Sequence, residues 1–190
     1  MTIFYICRHG ETENNKMRRL SGWIDTPLTE KGVGNALASA SKLGGLHFDQ
    51  VLSSDLGRAF ITAYIIRKKL GIAHDIKRVK ELREVNYGDL ANRPYAAYPD
   101  LSPQANTDYL PPNGESLVQM QARVLGYVDH ISVSNRDQNI LIVAHDGTIN
   151  ALRANFSNES MGDADTTHNA HDFVAKFSFA DHMVMSFVEI

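Results

Sequence analysis

Ile3-Phe4-Tyr5-Ile6-Cys7-Arg8-His9-Gly10-Glu11-Thr12 is the stretch that decides the architecture. Residues 3 to 7 form a short continuous apolar run, the mark of a strand covered on both faces. The run stops abruptly at Arg8-His9-Gly10, which is polar and flexible. A second run of the same kind, Asn139 to Ala144, stops at His145-Asp146-Gly147. In parallel α/β sheets, ligands bind beyond the carboxyl ends of the strands. Two buried strands that both end in histidine-bearing turns therefore point to one site.

Around these strands, helical and extended patterns alternate. Thr29, after Pro27-Leu28, is the expected N-cap of a helix reaching about Leu43, although Gly32 and Gly34 weaken that helix. A strand is expected near Gln50 to Ser53. Ser54-Asp55 then open a helix carried by Ala59, Phe60, Ala63, Ile66 and Leu70 at helical spacing. From Gly88 to Gly114 the texture changes. Pro94, Pro99, Pro103, Pro111 and Pro112 break any period, and Tyr95, Tyr98 and Tyr109 decorate it. This reads as a loop-rich excursion over the site at about 90–114, not as a separate domain. A helix from about Glu115 to Ser134 follows, with Leu117, Met120, Val124, Val128 and Ile131 on one face. Another runs through Ile149 and Leu152. Phe173 to Phe179 and Met183 to Val188 are close enough to pair as a hairpin. The expected fold is one α/β domain over residues 1–190, a three-layer α/β/α sandwich. Its central sheet is mostly parallel, with helices on both faces and an antiparallel edge.

Composition narrows the function. With 43% hydrophobic and 22% charged residues, 190 residues build an ordinary soluble core without staples. The formal net charge of −3 gives no global basic field for nucleic acid or anionic membrane, so an anionic substrate must be held by a few local cations. A lone cysteine, Cys7, rules out an internal disulfide framework and suits a reducing compartment. The first residues carry no basic leader, and no stretch approaches the roughly 20 apolar residues of a membrane span. A cytoplasmic protein is expected.

Arg8-His9-Gly10-Glu11-Thr12 carries the chemistry. A neutral imidazole nitrogen can attack phosphorus and form a covalent phosphohistidine, splitting one hard step into two easier ones. An adjacent arginine offers a planar, permanently charged fork that matches phosphate oxygens. Gly10 lets the backbone approach closely. A solvated loop could also contain these residues, but their position after a buried N-terminal strand favours function.

The chain resembles the histidine phosphatase superfamily, also called phosphoglycerate mutase-like. Its hallmark Arg-His-Gly-Glu-Thr stands at residues 8 to 12, with Asn15 at the family's spacing. The likeness continues through Ser21-Gly22-Trp23, residues 25 to 32, Ser53-Ser54-Asp55-Leu56 with Arg58-Ala59, and Thr62-Ala63. It resumes in Glu81-Leu82-Arg83-Glu84 with Tyr87-Gly88, in residues 113 to 116, and in Val143-Ala144-His145. The last 35 or so residues match only loosely. The resemblance implies that His9 is the nucleophile and that Arg8, Arg58 and His145 surround the phosphoryl group. Fixed cationic donors suit a transfer whose charge spreads over equatorial oxygens. Arg58 falls in the first turn of its expected helix, where backbone N–H groups also favour an anion. Family spacing selects Glu84 over its neighbour Glu81 as proton donor and acceptor. Asn15, Ser21, Gly22, Tyr87 and Gly147 are the expected substrate-binding positions.

Three features depart from the pattern or stand outside it. Asp146 follows His145 where many relatives carry glycine, and is expected to point away from the anion. Gly147 falls where the glycolytic mutases have a side-chain amide. Asp163, Asp165, His168, His171 and Asp172 contain a His-x-x-His spacing, but are expected to form a solvated polar loop. No metal or other cofactor is required by the family chemistry. Hydrolysis is favoured over mutase action because the excursion offers only Arg93 as a cation, while its tyrosines suit a less charged leaving group. The expected partner is a small phosphorylated metabolite: a sugar phosphate, alpha-ribazole phosphate or a broad set. The alternatives are a cofactor-dependent phosphoglycerate mutase and a phosphoprotein phosphatase or phosphate-binding module. A homodimer is also left open.

Overall fold

The computed structural model describes residues 1–98, 107–162 and 168–190. Six strands form one sheet: β1 (Ile3–Arg8), β2 (Gln50–Ser54), β3 (Ile76–Val79), β4 (Asn139–Ala144), β5 (Val174–Ala180) and β6 (Met183–Glu189). They lie in the order β3-β2-β4-β1-β5-β6. The first four run parallel, and the β5–β6 hairpin adds an antiparallel edge beside β1. The helices are α1 (Glu13–Lys16), α2 (Glu30–Lys42), α3 (Gly57–Leu70), α4 (Leu117–Ser134) and α5 (Asp146–Ser157).

The apolar runs of β1 and β4 follow from their central position. Phe4 and Ile6 pack with Ile140 and Ile142 into one core layer that α4 and α5 complete. Tyr5 and Cys7 pack with Leu141 and Val143 into the other, closed by Ala40 of α2, its C-cap Leu43, and Ala59, Ala63 and Ile66 of α3. Each side chain of this size removed from water contributes roughly 1.5–3 kcal/mol before ordering costs. Both faces are therefore committed, and the register cannot slip by one residue without burying the wrong set. That register pairs Arg8 with Ala144, and the His9 amide donates to the Ala144 carbonyl at 3.0 Å. The two histidine turns must emerge side by side. β2, on the other side of β4, ends at the same level and delivers the start of α3 beside them.

Several boundaries differ from the sequence expectation for local reasons. Ser54 still pairs with Val79, so α3 starts at Gly57. α4 starts at Leu117 because Ser116 caps it, in a reciprocal box with Gln119. β3 is absent from the sequence pattern because Lys77 and Arg78 are exposed on this edge strand, leaving no apolar run. α1 is a single turn capped by Thr12. Gly32 is explained by close approach: a Cβ there would fall on the Glu11 carbonyl, and one on Gly10 would fall on the Gly32 carbonyl. The excursion forms 3-10 turns at Gly88–Leu90 and Tyr95–Ala97, while Pro99 and Pro103 lie outside the described residues. Among the described residues, no helix is long and apolar enough to cross a membrane.

Candidate active site

Beyond the carboxyl ends of β1, β2 and β4 lies a cavity of about 600 Å³, lined by Arg8, His9, Arg58 and Glu84 among others. His9 is 4% exposed, and its Nδ1 lies 2.8 Å from the Gly10 carbonyl oxygen. A carbonyl only accepts, so Nδ1 carries the hydrogen and Nε2 the lone pair. Arg58 agrees independently, since its Nε–H donates to His9 Nε2 at 3.3 Å. Burial, then Arg58 and Arg8, hold the imidazole well below its ordinary value. The ring is neutral, with one defined nucleophilic nitrogen.

Arg58 is among the most deeply buried side chains and is fixed from four directions. Its Nη1 donates to the Ile24 carbonyl at 3.0 Å and its Nη2 to the Gly22 carbonyl at 2.8 Å. Asp25 lies 3.4 Å from Nη1. Burial pulls the guanidinium down from its ordinary value, opposed first by Glu84 and Asp25. Asp25 also accepts the Gly57 amide at 2.6 Å and the Arg58 amide at 3.4 Å. The start of α3 is therefore capped by a protein carboxylate, which corrects the expectation that these backbone donors serve the substrate anion.

His145 stands across from His9, ring centroids 5.1 Å apart. It is fully buried and its two ring nitrogens have no hydrogen-bond partner among the described residues. Burial and then Arg58 push its pKa well below the usual histidine range. Glu84 reaches the cavity from the loop after the 3-10 turn Lys80–Leu82; Glu81 does not line it. The backbone of Glu84 is held by Trp23, whose indole donates to its carbonyl at 2.8 Å, and by Arg123. Its Oε1 accepts the Val85 amide at 2.9 Å, and its Oε2 accepts the Gly147 amide at 3.3 Å. A Cβ on Gly147 would overlap Glu84 Oε1, so glycine is what lets the first turn of α5 approach the carboxylate.

The remaining expected positions converge on the same cavity. Asn15 Nδ2 donates to the Tyr95 hydroxyl at 3.3 Å. Ser21 Oγ is buried without a hydrogen-bond partner among the described residues. Gly22 has φ +50, and its Cα faces Tyr87 and Val85 too closely for a side chain. Tyr87, Tyr95 and Tyr98 line the wall. A neutral imidazole, a buried guanidinium and unpartnered polar atoms facing one another are an arrangement that suits a bound phosphoryl group. The family model for the histidine phosphatase superfamily (branch 1) matches residues 4–183. The chain belongs to that superfamily.

Relatives agree. The chain is 35% identical over 157 residues to the adenosylcobalamin/alpha-ribazole phosphatase of Salmonella typhimurium, covering 79% of this chain and 77% of the relative. It is 39% identical over 132 residues to the fructose-2,6-bisphosphatase TIGAR of Xenopus tropicalis, 66% of this chain; the match spans only 48% of that longer protein. Bacillus stearothermophilus YhfR superposes with a TM-score of 0.87 at 28% identity, over 99% of this chain and 96% of that one. A relative of comparable identity is named as a phosphoglycerate mutase.

Against this histidine phosphatase frame, three expectations need correction. Asp146 does not point away. It lies 3.6 Å from Arg8 and accepts both the Asn169 amide, at 3.0 Å, and its side-chain Nδ2, at 2.7 Å. His171 is not in a solvated loop: it lines the cavity and contacts the His9 carbonyl, whereas His168 is largely exposed. Asp163 and Asp165 lie outside the described residues, among which no group of three or more acidic, histidine or cysteine side chains could hold a metal. The cations also differ. Arg93 does not line the cavity, but Arg18 and Arg19 do. Their position just before Ser21-Gly22 was the available signal.

Proposed function

We propose that this chain is a metal-independent phosphomonoesterase acting on a small phosphorylated metabolite through a phosphohistidine at His9. The observation that carries the reading is the His9 tautomer: two hydrogen bonds, one given by Nδ1–H and one received at Nε2, put the lone pair on Nε2 inside a cationic ring. In the first step Nε2 would attack phosphorus while the ester P–O bond breaks. Glu84, protonated, gives its proton to the departing oxygen. In the second step water attacks phosphorus, Glu84 takes the proton back, the N–P bond breaks and phosphate leaves. Arg8, Arg58 and His145 would stabilise the charge on the transferring oxygens. Ser21, Asn15 and the Gly22 amide would meet substrate oxygens, the Gly147 amide would hold Glu84 beside them, and the Tyr87, Tyr95 and Tyr98 rings would meet the organic part.

Sugar phosphates, alpha-ribazole phosphate and a broad set of monoesters all fit this description. The 4–183 match supports treating the chain as one catalytic domain with the excursion above its site. A panel of monoesters assayed in chelator is the test. Steady phosphate release by wild type, lost in His9→Ala, is expected; retained turnover in that variant contradicts the proposal. The second reading, a mutase, is favoured by Arg18 and Arg19 in the cavity, which could engage a second anionic group. Faster interconversion of phosphoglycerates than hydrolysis would select it.

A further inference from the structure

The segment from His168 to Phe173 carries another imidazole into the cavity, and a buried polar network fixes it there. Asn169, 4% exposed, donates to Asp146 and, at 2.9 Å, to Asn150 Oδ1, and accepts from Arg153 at 2.6 Å. Its carbonyl accepts from Arg8. These bonds tie the segment to α5 and to the end of β1. Two residues on, His171 Nδ1 lies 2.9 Å from the His9 carbonyl oxygen. The carbonyl can only accept, so Nδ1 bears the hydrogen and Nε2 bears a lone pair. The His171 ring lines the cavity with its centroid 5.6 Å from that of His9, and Nε2 has no hydrogen-bond partner among the described residues. A bare lone pair there repels phosphate oxygens, whereas a protonated nitrogen donates to them.

We propose that His171 is a third histidine of the phosphoryl site, taking up one proton as the anion binds and releasing it as the anion leaves. The inference rests on the cavity being the phosphoryl site. The groups facing His171 are Arg8 and His9 at the end of β1, Glu11 in the turn beyond it, and Asp146 at the start of α5. Burial and then Arg8 hold its pKa down to about 4, against the pull of the His9 carbonyl, Glu11 and Asp146. A dianion among Arg8, Arg58 and His171 reverses the balance, because the charged imidazole gains an opposite charge. The proton comes from solvent to Nε2 and returns there; no bond to phosphorus is made by His171. The site thereby adds a cation only when one is needed, and avoids packing an imidazolium beside Arg8 without an anion to balance it.

Sulfate tests this without turnover, since it is a dianion with no proton of its own. Calorimetric titration in two buffers of different ionisation enthalpy counts protons taken up. Wild type is expected to take up close to one proton through His171 and to bind sulfate about tenfold more tightly near pH 6 than near pH 8. His171→Asn, whose amide can still donate to the His9 carbonyl, is expected to lose that proton and the pH dependence; His171→Ala should do the same. Uptake unchanged in both variants assigns the proton to His9, His145 or Glu84 and overturns the proposal, as does absence of uptake in wild type. Failure of the phosphohistidine reading appears separately, as no label on His9 with the sulfate result intact.

Discussion

Gly147→Ala isolates the proton-transfer geometry. The new methyl would overlap Glu84 Oε1 and lie 3.2 Å from Met120 Cε, on a helix turn that cannot retreat because Gly147 and Thr148 are buried. The flexible carboxylate must give way, by about 1 Å to restore ordinary contact. Its hydrogen bond from the Gly147 amide is lost in the same movement. Misplacement on this scale costs on the order of 100-fold when a reacting group is involved, or about 2.7 kcal/mol in barrier. Folding should be little affected, because the displaced atom ends a side chain and no backbone moves. Single-turnover release of alcohol separates the consequences. With an alkyl phosphate, whose leaving group needs the proton, the rate should fall about 100-fold. With a nitrophenyl phosphate it should fall far less. Equal losses for both esters, or none for the alkyl ester, would refute Glu84 as the donor.

Arg58→Lys replaces a fork that touches His9 and two carbonyls with a single ammonium, so kcat should drop roughly 100- to 1,000-fold in steady-state assays while the fold persists. An activity within a few-fold of wild type would contradict that. Gly10→Ala drives a methyl into the backbone of Gly32, and thermal unfolding should register a loss of about 1–3 kcal/mol. His9 and His145 both have depressed folded values, so the unfolded chain binds more protons below its ordinary histidine value of about 6.5. Stability is then complete above that pH and falls by about 1.4 kcal/mol per unit for each ring as pH drops. Denaturant melts between about pH 7.5 and 5.5 read the slope, and a flat profile would contradict neutral burial.

What the sequence reveals depends on how locally each feature is determined. β1 and β4 are legible because two covered faces demand an unbroken apolar run, and the register that follows makes their histidine turns neighbours. β3 is not, because an exposed edge strand with Lys77 and Arg78 keeps no such run. Glu84 is selected by family spacing; its separation from Glu81 in physical terms needs the Val85 and Gly147 amides that hold the Glu84 carboxylate at the cavity, the second of them 63 residues away. The capping of α3 by Asp25 joins residues 32 and 33 positions apart, and His171 meets His9 across 162. No local pattern encodes either contact. Charge alone turns Asp146 away from an anion, and the partners that hold it at the cavity, Arg8 and Asn169, lie on other elements.

The most direct measurement is the site of phosphorylation. Protein mixed with a monoester and quenched in base should carry one acid-labile phosphate on residue 9, bonded at Nε2 and distinguishable from the Nδ1 isomer by phosphorus NMR. It should be absent from His9→Ala. Phosphate trapped on another residue, on Nδ1, or not at all during demonstrable turnover would contradict the account.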